Sequence, residues 1–403
     1  MSMVTGQGLQ GEFNPPVQTR VVFGRGKVDG LREEITSLGG RRVLLLSGRS
    51  VAEKTGAVRR VATVLGDTCV GTFSGLTQRA PLAAAVEATE MALQGEVDTL
   101  VGVGGSTISD AARMIGVMMA EEITSVDRLR ELGQQGDGAL SPNLDGKELP
   151  WQVCIPTTLS AGEFNQGGGN VLDDQANHKI VVRHQRLFAH LVVLDPEVTV
   201  GTPDWLWLST GIKALDHCIE RLYTRGNQPA IDAPVLGAAE RLFEYLPKSR
   251  EANSDLDARL HCMIGAWMSM AGAPNFATGL SHAIGHVIGV HCTVGHGYTS
   301  CVTQPYVMEF NRPASAHKQA LLARSAGVDT RGMTDEAAAE AAARAVDALI
   351  LGLGMPHRIR ELEVPREDLQ EIAKEVLTER GCINNAVPVT KVEQVMEVLE
   401  SAF

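Results

Sequence analysis

Asp98-Thr-Leu-Val-Gly-Val-Gly104-Gly105-Ser106-Thr107-Ile-Ser-Asp110-Ala-Ala-Arg113 is the stretch from which the fold is read. Asp98 to Val103 has the composition and length of a strand, and the residues after Ser106 open a helix. Two glycines make the turn between them. Such a turn brings the backbone close to a diphosphate, and the free N–H groups and dipole of the helix attract its charge. The same turn also serves where only packing requires it, so the pattern alone leaves both uses open.

Upstream, Arg20 to Phe23, Arg42 to Ser47 and Thr68 to Phe73 read as further strands. Val28 to Leu38, Val51 to Leu65 and Pro81 to Leu93 read as the helices between them. Downstream, Trp151 to Pro156, Lys179 to Val182 and Leu191 to Leu194 resume strand character. Alternating strand and helix predicts a parallel sheet with helices on its faces. Glu121 to Pro150, polar and rich in Gly, Asp and Pro, reads as a surface insertion. After Asp195-Pro196 the texture becomes helical, and Ala337 to Leu351 is the clearest helix, with Thr334 as its N-cap. The expected organisation is an α/β nucleotide-binding domain over residues 1–200 and an all-helical catalytic domain over 201–403, with a cleft between them.

Composition narrows the function. The 403 residues carry a net charge of −12, with 44% hydrophobic and 21% charged residues. That acidic balance argues against nucleic acid and anionic membranes as partners, and no apolar run is long enough to span a bilayer. Seven cysteines without a C-x2-C pair read as reduced thiols, which predicts a cytoplasmic location.

Five of the eleven histidines, His291 among them, fall in two helix-like segments of apolar and small residues. One segment is Gly211-Ile-Lys213-Ala-Leu-Asp216-His217-Cys-Ile-Glu220. The other is Gly279-Leu-Ser-His282-Ala-Ile-Gly-His286, which continues to Gly295-His296. His282 and His286 share one helix face, as do Lys213 and His217. Clustered imidazoles on apolar helices act as metal ligands, as proton carriers or as hydrogen-bonded core residues. Asp216, one residue from His217, falls on a different face.

The spacing resembles the iron-containing alcohol dehydrogenase superfamily, whose dehydroquinate synthase-like fold is a Rossmann-like α/β domain followed by an all-helical one. Its metal ligands are Asp-x3-His on one helix and His-x13-His about sixty residues on. His217, His282 and His296 occupy the three histidine places, and His286 that of a further catalytic-site histidine. Lys213 stands where the aspartate belongs. An ammonium ~4 Å from a dication costs roughly 8 kcal/mol at an effective dielectric of 20, so the resemblance with this departure implies a site without Fe or Zn. A neutral Lys213, or one turned away from a three-histidine site, would leave a metal-dependent alcohol dehydrogenase.

The resemblance extends over nearly the whole chain. Gly104-Gly105-Ser106-Thr107 matches the family's glycine-rich turn rather than the ordinary G-x-G-x-x-G fingerprint, and Pro156-Thr157-Thr158 its hydroxyl loop, shortened by one residue. The family's ribose-binding Thr-Asp-x-Gly reads Ser47-Gly48-Arg49-Ser50, without the carboxylate that repels a 2′-phosphate. The cofactor is thus expected to be NADPH or NADH, with NADPH accepted. The metal-free maleylacetate reductase branch is resembled in His286-Val-Ile-Gly and Glu220-Arg-Leu-Tyr223. The alcohol dehydrogenases are resembled in Asp110, His296-Gly297 and Pro305 to Asn311.

The resemblance implies hydride transfer between nicotinamide and a small carbonyl, alcohol or activated enone, with carboxylate-bearing substrates among the candidates. Lys213, His217, His282, His286 and His296 are its expected catalytic residues, in a homodimer. A dehydroquinate synthase-type lyase and an inactive binding protein are the alternatives from other classes. The lysine weighs against the first, and the four retained histidines weigh against the second.

Overall fold

The computed structural model describes residues 19–77, 80–133, 139–176, 178–272, 278–292 and 294–403, with the backbone alone at Ala139 and His296. Its strands are β1 (Arg20–Phe23), β2 (Val43–Ser47), β3 (Cys69–Phe73), β4 (Thr99–Gly104), β5 (Ala139–Leu140), β6 (Trp151–Pro156), β7 (Gly168–Asp173), β8 (His178–Arg183) and β9 (Leu191–Leu194). Six of them form a wholly parallel sheet in the order β1-β9-β6-β4-β2-β3. The first helices are α1 (Leu31–Leu38), α2 (Arg49–Lys54), α3 (Ala57–Leu65), α4 (Leu82–Gln94), α5 (Ser106–Ala120) and α6 (Val126–Gly133).

Strand alternation builds the layers. Leu44, Leu46 and Leu100 pack with Ala85, Ala88, Ala111 and Ile115 of α4 and α5. Val43, Leu45, Val101 and Val153 pack with Leu31, Ile35, Val58 and Val61 of α1 and α3 on the other face. Every residue of β2, β4 and β9 is buried, as expected of parallel strands covered on both sides. From β2 the chain moves outward to β3 and then returns past β2 to β4. The carboxyl ends of β2 and β4 therefore flank the point where the strand order reverses, which is where open α/β sheets bind ligands.

Two sequence expectations change. The helix expected over Val51 to Leu65 is two helices, α2 and α3, because Gly56 takes φ 74° between them. The expected surface insertion, Glu121 to Pro150, contributes to the core: Leu129 and Leu144 are fully buried in the same cluster as Leu44. Its β5 joins β8 and β7 in a second sheet, and Arg130 of α6 binds the buried Asp173 at 2.7 Å. Its polar composition reflects an exposed outer face, while a few leucines anchor the inner one.

The remaining helices are α7 (Asp204–Tyr223), α8 (Pro229–Glu251), α9 (Leu256–Ser269), α10 (Leu280–His291), α11 (His296–Ser325), α12 (Asp335–Gly352), α13 (Leu369–Val376), α14 (Arg380–Asn384) and α15 (Val392–Ala402). Thr334 caps α12, its hydroxyl accepting from the Ala337 N–H. By compactness one unit takes the described residues of Val17–Ala214 and Arg241–Trp267, and the other those of Leu215–Glu240 and Met268–Phe403. In the second unit Leu280, Ile284 and Ile288 of α10 pack with Val302 and Val307 of α11, Ile372 and Val376 of α13, and Val395 and Leu399 of α15. Asn311 and Asn385 exchange two side-chain hydrogen bonds at 2.6 and 2.9 Å, pinning the segment after α14 to α11.

Candidate active site

In the α/β unit, three neighbouring strand ends collect the residues singled out from the sequence. Ser47 pairs with Val103 and Gly104 with Pro156, so Gly48, Gly105 and Thr157 follow adjacent strands. The turns are tied together. The Thr157 N–H donates to the Gly104 carbonyl at 3.0 Å, and the Ser106 N–H donates to the Ser160 hydroxyl at 3.2 Å. Ser160 and Thr158 share a hydrogen bond of 3.0 Å. Ser160 was not legible as a partner of the glycine turn, because the two lie 54 residues apart.

The glycines are required by space. Gly104 takes φ +155°, and a Cβ there would lie 2.6 Å from Ile108. A Cβ on Gly105 would lie 2.9 Å from the Thr158 hydroxyl, and one on Gly162 would overlap Ser106. Thr107 lies in the first turn of α5. Gly48 caps α2, and Arg49, its first residue, is exposed. Thr157 and Thr158 are buried.

Behind the hydroxyl loop, Arg113 is buried, pairs with Asp110 at 2.5 Å and donates to the carbonyl oxygens of Gly162 and Gly168. Glu163 is also buried, and its Oε2 has no hydrogen-bond partner among the described residues. Burial pushes its carboxyl up to about 7, against the opposing pull of Arg113.

In the helical unit, α7 presents His217, and α10 presents His282 and His286. The His217 and His282 rings stack with centroids 5.1 Å apart, and the His282 and His286 rings meet edge-on at 6.4 Å. From Trp207 to Tyr223 every residue is buried except Lys213 and His217, which share one face of α7. His286 is half exposed, with Nδ1 3.4 Å from Glu379. His296 opens α11, but its side chain lies outside the described residues.

The residues around His282 were not anticipated. Glu220 accepts N–H bonds at the start of α10 from Gly279 at 2.6 Å, Ser281 at 2.8 Å and His282 at 3.3 Å. It therefore neutralises the orphan donors of that helix end. The Glu220 Oε2 also lies 2.6 Å from His282 Nδ1, close but not aligned as a hydrogen bond. Asp216, set apart by its offset from His217, lies with Oδ2 3.6 Å from the same Nδ1 and accepts the Ser300 hydroxyl at 2.6 Å. The available signal was Asp216-x3-Glu220, two acids one turn apart on one face of α7.

Two family models cover the chain. Iron-containing alcohol dehydrogenase matches residues 18–196, and Fe-containing alcohol dehydrogenase family, C-terminal, matches 207–403. The chain belongs to the iron-containing alcohol dehydrogenase family. The NAD-dependent methanol dehydrogenase of Bacillus methanolicus is 27% identical over 393 residues, covering 97% of this chain and 99% of that protein. The maleylacetate reductase of Pseudomonas sp. (strain P51) is 27% identical over 310 residues, covering 77% and 78%. The structure of 1,3-propanediol oxidoreductase, 23% identical, superposes with TM-score 0.86 over 97% of this chain and 100% of that one, which shows the shared fold. Like its family, the chain is an oxidoreductase that works with a nicotinamide dinucleotide.

The dinucleotide used by iron-containing alcohol dehydrogenases fits the α/β unit by place: the glycine turn opens α5 at the switch point of the sheet, where the N–H groups of a helix start receive a diphosphate. The four-ligand metal site does not fit, since an ammonium at Lys213 replaces a carboxylate ligand. Asp216, Glu220 and His282 bring ligand-type atoms within 4.8 Å of one another. Their carboxylates, however, already serve N–H and hydroxyl donors. The 2.6 Å between Glu220 and His282 is also shorter than the roughly 3 Å that separates ligands bound at about 2.1 Å from a metal.

Proposed function

We propose that this family member is an NAD(P)H-dependent reductase of a small carbonyl or activated enone, resembling maleylacetate reductases and working without the family's divalent metal. The observation that supports it is Lys213, which stands in the place of the ligand aspartate and, with His217, is the part of α7 between Trp207 and Tyr223 that is not buried. The cofactor would be held by Gly104, Gly105, Ser106 and Thr107, with Thr157 and Thr158 on the neighbouring strand end and Gly48 and Arg49 at the ribose. Bound there, it supplies a hydride to the substrate carbon. Lys213 then stabilises the developing oxyanion, the task a Lewis-acid metal performs elsewhere. His282 or His286 delivers the proton, as imidazoles do near neutral pH. By the family resemblance, His217 and His296 would belong to the same catalytic set. A substrate carboxylate would pair with Lys213, and Arg49 would accept a 2′-phosphate, so NADPH serves as well as NADH.

A metal-dependent alcohol dehydrogenase is the second reading. It is favoured by the stacked His217 and His282 rings and by His282 Nε2, a buried ring nitrogen without a hydrogen bond among the described residues. Metal analysis of untagged protein, together with a panel of carbonyl substrates, separates the two. The expected result is well under one equivalent of Fe or Zn and turnover that survives chelator. Stoichiometric metal with activity lost on chelation would establish the second reading. The seven free thiols support a cytoplasmic location, and the family resemblance supports a homodimer.

A further inference from the structure

Glu163 lies in the short turn Gly162–Phe164 that follows the hydroxyl loop, and this turn rests on Ser106, the first residue of α5. A Cβ on Gly162 would overlap Ser106, so only a glycine lets the turn lie this close. Two residues earlier, the Ser160 hydroxyl accepts the Ser106 N–H at 3.2 Å. Between them Ala161 takes φ 57°, a left-handed conformation that a residue with a side chain keeps only where its surroundings impose it. The seat of the glycine turn thus depends on how this loop is held down.

Arg113 holds it. Its Nη2 donates to the Gly162 carbonyl at 3.0 Å and pairs with Asp110 at 2.5 Å, while its Nε donates to the Gly168 carbonyl at 2.5 Å. Asp110 is engaged in turn by the Asn170 amide at 2.8 Å. Arg113 Nη1 and Glu163 Oε2 are both buried without a hydrogen-bond partner among the described residues. The charge of Arg113 is felt at Glu163, yet the two form no ion pair. Burial raises the Glu163 carboxyl to about 7, and in its uncharged form it makes no claim on the guanidinium. An enclosed carboxylate, by contrast, requires a charged donor. Asp110 of α5 and Cys154 of β6, the other ionisable groups that face it, carry no positive charge. Arg113 Nη1 is the donor at hand, and because the guanidinium is a rigid planar fork, turning Nη1 to Glu163 takes Nη2 off the Gly162 carbonyl.

We propose that Glu163 is a positioning residue for the nicotinamide dinucleotide: uncharged, it leaves Arg113 on the Gly162 carbonyl and the loop seated on Ser106, and as a carboxylate it draws the guanidinium away and unseats the start of α5. Cofactor binding and ionisation of Glu163 then oppose each other, so by linkage the dinucleotide draws a proton onto the carboxyl as it binds. Affinity is complete below pH 7 and falls as pH rises above it. This assignment rests on the cofactor site proposed above.

The test is calorimetric titration of the full chain with NADH, whose own charge is constant between pH 6 and pH 8, with circular dichroism confirming the fold at both. The wild-type Kd should rise about tenfold over that interval. At pH 8 binding should take up close to one proton, read from the same titration in two buffers of different ionisation enthalpy. Glu163→Gln, which cannot ionise, should bind at pH 8 as tightly as at pH 6 and without that uptake. A glutamate that served packing alone would move neither readout. A wild-type Kd that does not change with pH, or a change that Glu163→Gln shares in full, overturns the proposal. NADH that binds at neither pH refutes the cofactor site itself, and this assignment with it.

Discussion

Replacing Glu163 by glutamine should stabilise the protein, and by an amount that depends on pH. Glu163 is fully enclosed in the α/β unit, with Oε2 unbonded among the described residues, and its carboxyl is raised from the ordinary 4.5 to about 7. Arg113 and Asp110 of α5 and Cys154 of β6 are the ionisable groups that face it. Below pH 4.5 the carboxyl is protonated in both the folded and the unfolded chain, and the site costs nothing. Between 4.5 and 7 the unfolded chain ionises while the folded one does not, so stability falls as pH rises, and above 7 the loss is complete. A shift of about 2.5 units corresponds to about 3 kcal/mol. Glutamine has the same shape and no charge to desolvate. Urea unfolding of both proteins at pH 5 and pH 8 should therefore show the advantage of Glu163→Gln growing by about 2–3 kcal/mol across that interval. A difference that does not change with pH would mean that Glu163 ionises freely in the folded protein, in contact with water or with Arg113.

Lys213→Met should keep the fold and cofactor binding, measured by calorimetry, while losing about 10²–10³ in turnover, the usual worth of one preorganised electrostatic donor. Near-full activity would make the lysine a bystander. Lys213→Asp restores Asp-x3-His and should raise the Zn²⁺ or Fe²⁺ content of purified protein, read by mass spectrometry. NADPH should match or exceed NADH in kcat/KM, and a hundredfold preference for NADH, about 2.7 kcal/mol, would show that Arg49 does not meet the cofactor. Glu220→Ala should leave three N–H donors at the start of α10 without their acceptor. The cost of such a loss is about 1–3 kcal/mol for each buried group left unsatisfied, seen as a lowered unfolding midpoint.

Local sequence determined more of this protein than its charge or composition did. The β-branched runs, the glycine turn at Gly104 and the helical texture after Asp195 determined the parallel sheet and the helices that follow it. Strand alternation and turn chemistry act over a few residues and need no knowledge of the partner. The i, i+4 spacing of Lys213 and His217 likewise put them on one helix face, and both are partly exposed where their neighbours are buried. The fate of Glu121 to Pro150 could not be read that way, because Leu129 and Leu144 become core residues only through packing with distant parts of the chain, among them α4, α5, β7 and β8. Nor could the roles of Asp216 and Glu220. Their carboxylates act on the start of α10, some sixty residues away, and on Ser300 of α11. Nothing within α7 reveals that a helix N-terminus with unpaired N–H groups will be packed against it. Glu163 and Glu379 make the same point in opposite directions. One acquires its raised pKa from burial behind a loop, and the other meets His286 because Gly381 and Gly279, 102 positions apart, allow α14 to touch the start of α10. Elements are chosen by nearest neighbours along the chain. The protonation of a carboxylate and the partner of an imidazole are chosen by neighbours in space, and only the tertiary structure supplies those.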